Sequence, residues 1–268
     1  MSETNKYTHK TLSIRISTDG FCFCSYIPAE IDSLQYHYYS TDSSISIVAN
    51  LRKAVEECPL ITAGTEYRIK AIIETVEFTT LPIEADRRED YKLFYRYCFP
   101  MADSNIDIVS NRLNAQELTI IFPVDKGIAD VLQKLGEVTY YTPASILLGF
   151  LALNPPKEDR YLLAYMQSEY MLLVSVNNGK MMLSNIFKSE EESDVLFYLL
   201  STWKEQELSQ TDDTLYICGD KRVEEMLLQI GKFIKNHKRL NPNKEFAPSL
   251  LGNIKNIPFD LQALLLCE

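Results

Sequence analysis

Two alternating apolar runs joined by a short polar loop, TLSIRISTDGFCFCSYI at residues 11–27, return as YLLAYMQSEYMLLVSV at residues 161–176. The elements after each pair recur too. In the first half, strands predicted at Leu12–Ser17, Phe21–Ile27 and Leu34–Tyr39 lead to Thr41 or Asp42 as a helix cap. The helix then carries Val48, Leu51, Val55 and Cys58 at helical spacing, and Tyr67–Ile73 returns as a strand. In the second half, Tyr161–Met166 and Tyr170–Val176 are strands, and Asn178-Gly179 is a hairpin turn into Lys180–Phe187. Ser189 and Glu192 have capping-box spacing before a helix with Leu196, Leu199, Leu200 and Trp203 on one side, and Thr214–Cys218 is the next strand. Ile16 to Met166 is 150 residues, Thr41 to Ser189 is 148, and Tyr67 to Thr214 is 147. Each half also closes on an apolar helix opened by proline, at Pro143 and at Pro258. A shared order at a steady offset implies an internal duplication.

Three antiparallel strands, a crossing helix, a further strand and another helix make a ribonuclease H-like unit. The fold class expected is therefore α/β, with two tandem ribonuclease H-like lobes in an actin-like ATPase fold. The lobes are placed at residues 1–153 and 157–268, joined across Asn154-Pro155-Pro156-Lys157-Glu158-Asp159. The first half is longer by an excursion at about 86–118, with an aromatic helical stretch at Tyr91–Phe99. That excursion resembles the small inserted subdomain of bacterial cell-division actins and of pilus-assembly actin-like proteins.

Charge and composition narrow the partners. A net charge of −10 argues against nucleic acid and anionic membranes as general partners, since both select basic surfaces. The longest apolar run, Ile146–Leu153, is far short of the ~20 residues that span a bilayer. The polar start MSETNKYTHK has no apolar h-region, so no secretion signal is expected and the cytoplasm is the expected location. Six cysteines lie mostly within apolar runs, with no C-x-x-C pair and three histidines to help them, so reduced thiols and no metal site are expected. His9, His37 and His237 have no visible nucleophile or acid partner, and His237 is placed at a helix end.

The segments LSIRISTDGFCFCSY, FTTLPIEA and IPFDLQALLLCE resemble an uncharacterised bacterial domain-of-unknown-function family with an actin-like ATPase fold. The resemblance covers essentially the whole chain and implies an architecture without an assigned activity. The wider superfamily carries hydrophobic–Asp–hydrophobic–Gly–Thr/Ser at the end of each lobe's first strand. There the Asp anchors the hydrated metal that bridges the phosphates, and the Gly lets backbone N–H groups approach phosphate oxygens. On that pattern Arg15 stands at the Asp position and Ser17 at the Gly position of the first lobe. In the second lobe Tyr165 stands at the Asp position and Gln167 at the Gly position. Asp19 lies four residues beyond Arg15, and Asp19-Gly20 reads as a type I′ hairpin turn. The superfamily's double-glycine loop, where adenosine packs, corresponds to YICGDKRVE, in which Gly219 survives with Asp220 as a helix cap and Lys221 beside it.

The expected function is a non-catalytic actin-like protein that binds other proteins, with no cofactor. Its partner surface is placed on the aromatic patch around Tyr91–Phe99. The alternative is a divergent nucleotide-binding or ATP-dependent phosphotransfer protein. Its cleft would be lined by Arg15, Ser17, Thr18, Asp19 and Gly20 from the first lobe, and by Gln167, Ser168, Glu169, Gly219 and Lys221 from the second, with Mg-ATP as ligand. A ribonuclease H-like nuclease would need clustered carboxylates beginning in the first strand, where Arg15 stands instead.

Overall fold

The computed structural model describes residues 10–27, 30–219, 222–240 and 257–266. They divide into two compact units, one made of residues 10–145 and the other of 146–240 and 257–266.

The first unit is built on a five-stranded sheet in the order β3-β2-β1-β4-β8. Strands β1 (Thr11–Ile16), β2 (Gly20–Ile27) and β3 (Glu30–Ser40) form an antiparallel meander. β4 (Tyr67–Ile73) runs parallel to β1, and β8 (Gly136–Tyr141) runs parallel to β4. Period-two alternation sets the faces, because paired residues project the same way. Leu12, Ile14 and Ile16 pair with Phe23, Phe21, Ile69, Ala71 and Ile73 to make one apolar face. Arg15 falls on the opposite face, beside Cys22 and Ile72.

Helix α1 (Ile47–Glu57) starts later than the sequence suggests. Its cap is Ser46, whose hydroxyl accepts the Ala49 N–H at 3.2 Å, in place of Thr41 or Asp42. Those two residues are engaged elsewhere. Thr41 donates to the Thr18 carbonyl at 2.8 Å, and the Asp42 N–H donates to the buried Asn50 side chain at 2.8 Å. α1 buries Leu51 and Ala54, and it meets α3 (Lys126–Gln133) closely enough that Gly127 lies under Val48.

Between β4 and α3 the chain makes a three-stranded antiparallel sheet, ordered β5-β7-β6. Its strands are β5 (Thr79–Pro82), β6 (Ile106–Leu113) and β7 (Leu118–Asp125). Helix α2 (Tyr91–Cys98) packs Tyr91 and Tyr95 onto Leu81 and Ile121, with Ile106 and Ile108 beside them. This small core runs from Thr79 to Asp125 and so takes in residues on both sides of 86–118.

The second unit has its own five-stranded sheet, β11-β10-β9-β12-β13. Its meander is β9 (Arg160–Met166), β10 (Tyr170–Asn177) and β11 (Lys180–Lys188), joined by the parallel strands β12 (Thr214–Gly219) and β13 (Asn236–Arg239). His237 therefore lies on a strand, a correction to its placement at a helix end, because β13 completes the parallel edge. Asn178 and Gly179 have φ of 50° and 73°, the backbone a type I′ turn requires. α5 (Glu192–Glu205) is capped by Glu191, whose N–H donates to Asp194 at 3.2 Å. The predicted Ser189 box is not formed, because Ser189 is fully buried with its N–H on the Glu169 carbonyl at 3.0 Å.

One face of this sheet presents Leu162, Ala164, Met166, Met171, Leu215 and Ile217 to α5 and to α6 (Val223–Ile230), with Leu199, Trp203 and Met226 completing the core. Each large apolar side chain among them contributes about 1.5–3 kcal/mol through burial. The other face presents Tyr165, whose ring lies 6.0 Å from Phe259 on α7 (Phe259–Leu266). Phe259 in turn meets Phe150 of α4 (Pro143–Leu153) edge-on at 5.9 Å. α4 is apolar but for Ser145, while α7 carries Asp260 and Gln262 among its apolar residues.

Candidate functional site

The loops that end β1 and β9 share one geometry. Each is three residues long, Ser17-Thr18-Asp19 and Gln167-Ser168-Glu169, and each leaves its second and third residues exposed. Each is closed by a backbone hydrogen bond from its first residue, Ser17 N–H to Gly20 O at 3.2 Å and Gln167 N–H to Tyr170 O at 2.9 Å. The first is not the type I′ turn that Asp19-Gly20 suggests, since neither residue has positive φ. Gly20 instead makes room for Tyr38: a Cβ there would lie 2.4 Å from the Tyr38 hydroxyl, which donates to the Asp19 carbonyl at 3.0 Å, and would displace that ring. The Ser17 hydroxyl, itself buried, shares its one proton between the Asp19 carboxylate and the Gly20 carbonyl.

Arg15 is the penultimate residue of β1, and Tyr165 is the penultimate residue of β9. Both are buried. The Arg15 guanidinium donates to Glu74 at 3.0 Å, with the two side chains 5% and 14% exposed. Glu74 comes directly after β4, and its N–H donates to the Ile16 carbonyl at 3.0 Å, which fixes it beside Arg15. The position at the end of β1 thus presents an already neutralised ion pair. Tyr165 presents an aromatic ring packed on Phe259. Neither side chain is a carboxylate, the group that commonly anchors a hard divalent cation.

Gly219, the last residue of β12, pairs with Met166 and has φ of +130°; a Cβ there would lie 2.0 Å from the Met166 carbonyl oxygen. The backbone alone therefore demands glycine at this position. Nearby, burial and then the Asp260 carboxylate push the Cys218 thiol well up, so this cysteine stays protonated and unreactive. Asp260 is itself fully buried at the start of α7, where it accepts the Leu261 N–H at 2.8 Å. Within the first unit Arg15, Ser17, Thr18, Asp19 and Gly20 lie together at one end of β1 and β2. Within the second, Gln167, Ser168, Glu169 and Gly219 lie together at the end of β9 and β12. Lys221 and Asp220 fall outside the described residues. Among the described residues no group of three or more His, Cys, Asp or Glu side chains is arranged to hold a metal ion, and no helix is long and apolar enough to cross a membrane.

Glu74, Tyr38 and Asp260 carry no signal in the sequence that marks them. Glu74 and Arg15 are 59 residues apart, and only the parallel register of β1 with β4 makes them neighbours.

The profile of a family described as a protein of unknown function (DUF3822) matches residues 2–237. Among curated proteins none matches the chain in sequence. A crystal structure from Bacteroides thetaiotaomicron, a protein with an actin-like ATPase fold and unknown function, is 27% identical over 100% of both chains, with a TM-score of 0.82. The PilM–PilN type IV pilus biogenesis complex is similar at 14% identity and a TM-score of 0.57, over 96% of this chain and 97% of that one.

Proposed function

The chain belongs to the DUF3822 family of proteins of unknown function and has an actin-like ATPase fold, and from that premise we propose that it is a non-catalytic, protein-binding member of that fold. In this reading the two five-stranded sheets are duplicated ribonuclease H-like lobes, and the three-stranded sheet with α2 is a subdomain inserted into the first. The shared strand order and the two matching hairpin loops support the duplication. The chain works without a nucleotide or a metal cofactor, in the cytoplasm, by holding another protein.

One observation carries this reading: the two strand positions that anchor metal in actin-like ATPases hold Arg15, neutralised by Glu74, and Tyr165, packed on Phe259. A guanidinium already paired with a carboxylate, and a phenol ring, each lack the net negative charge that draws Mg²⁺. A neighbour of the same fold, PilM–PilN, is itself a protein complex, which is compatible with partner binding. Isothermal calorimetry with Mg-ATP, Mg-ADP and Mg-GTP tests the reading. No saturable heat is expected at millimolar nucleotide; saturable micromolar binding, or nucleotide turnover lost on Ser17→Ala, would overturn it.

A further inference from the structure

We propose that the groove between α2 and β6 is the partner site, and that it takes an extended acidic segment of another protein. This rests on the protein-binding reading above and gives that partner its chemistry. Arg88, Lys92 and Arg96 stand four residues apart along α2 and the single turn before it, so they form one stripe. All three are exposed, and among the described residues none of their side chains makes an ion pair or a hydrogen bond. They edge a cavity of about 190 Å³ whose apolar lining comes from Tyr95, Ile106 and Ile108. Beside the stripe, Leu93 and Tyr97 are 69% and 88% exposed on the same helix. Three unpaired cations next to uncovered apolar side chains stand out on a chain of net charge −10.

Asp103 and Asp107 also line the cavity, so the occupant's carboxylates are confined to the side of it that Arg88, Lys92 and Arg96 edge. The cation spacing selects an extended chain. Four helical residues rise about 6 Å, close to the roughly 7 Å between alternate side chains of an extended peptide. Carboxylates at alternate positions can therefore meet Arg88, Lys92 and Arg96 in turn, while the intervening side chains turn toward the β6 wall.

The test is selection of a random displayed peptide library on the full chain, and then fluorescence anisotropy of the enriched peptides. Enriched sequences are expected to carry Asp or Glu at alternate positions and to weaken as salt rises. Their Kd is expected to rise roughly tenfold or more in the Arg88→Glu/Lys92→Glu/Arg96→Glu variant. It should be unchanged in Arg52→Glu/Lys53→Glu, which reverses exposed charges on α1; thermal unfolding checks that both variants fold. Peptides that bind the triple variant as tightly as the wild type would overturn the site while leaving the protein-binding reading standing. Binding of phosphatidylglycerol vesicles or single-stranded RNA, abolished by the triple variant, with no acidic peptide selected, would overturn the peptide as occupant. No selected peptide at all, together with no reproducible partner in a pull-down from the native host, would remove both readings.

Discussion

The guanidinium of Arg15 and the carboxylate of Glu74 meet at 3.0 Å with both side chains largely withdrawn from water. Their separation along the chain is closed by one register, Arg15 opposite Ile72 in the parallel pairing of β1 and β4. A buried pair of this kind contributes little net stability when intact, yet leaves an uncompensated charge when halved. Arg15→Met and Glu74→Gln are each expected to destabilise the chain by about 3–5 kcal/mol, and Arg15→Met/Glu74→Met by much less than their sum. Denaturant unfolding of the three variants measures this; additive losses would show that the two groups are not coupled.

Backbone crowding makes a second expectation sharp. Gly136 and Gly219 have φ of +150° and +130°, and a Cβ at either would lie 2.0 Å from a carbonyl oxygen on the neighbouring strand. Alanine at either position is expected to cost about 3 kcal/mol or more, strain and overpacking together. Gly179→Ala meets open space and is expected to cost only about 1 kcal/mol. Comparable midpoints for all three variants would contradict this.

Asp86 is expected to make the small sheet acid-sensitive. The Tyr91 hydroxyl, with Thr119 and Arg112 adding to it against the opposing effect of burial, holds the Asp86 carboxyl below its ordinary value. A depressed carboxylate stabilises the fold above its unfolded pKa, near 3.9, and that stability is lost as pH falls through the folded value. Asp86→Asn is therefore expected to lower stability at neutral pH and to flatten its fall at acid pH. Thermal unfolding from neutral pH down to about 3 reads both effects.

The small core around α2 is expected to open on its own. Tyr95 is fully buried and donates its hydroxyl to Glu77, and burial, then that carboxylate, pushes the phenol pKa up. Tyr95→Ala is expected to cost about 3–5 kcal/mol. Amide exchange is expected to accelerate across residues 79–125 while β9, β10 and β12 keep their protection. Uniform acceleration across the chain would show a single cooperative unit instead.

Local pattern sufficed for the two meanders. Period-two alternation in residues 11–27 and 161–176, the Asn178-Gly179 turn and the proline-started helices all depend on near neighbours, so the sequence by itself determined these elements and their order. It also places an arginine at 15 and a tyrosine at 165, each one residue from the end of its half's first strand. The helix starts at Ser46 and Glu191 were less legible, because Thr41 and Ser189 satisfy the same local rule but are drawn into contacts with the hairpin loops. The strands β5, β6 and β7 were hidden for a related reason. Their residues alternate weakly, as in IDIVSNRL, and the register of β6 on β7 comes from pairing. Only the tertiary structure decided that Arg15 is neutralised by Glu74, that Gly20 yields to Tyr38, and that Arg88, Lys92 and Arg96 edge a cavity against Ile106 and Ile108. Each of these depends on sheet register or helix placement across long stretches of chain, a distance at which residue spacing carries no information.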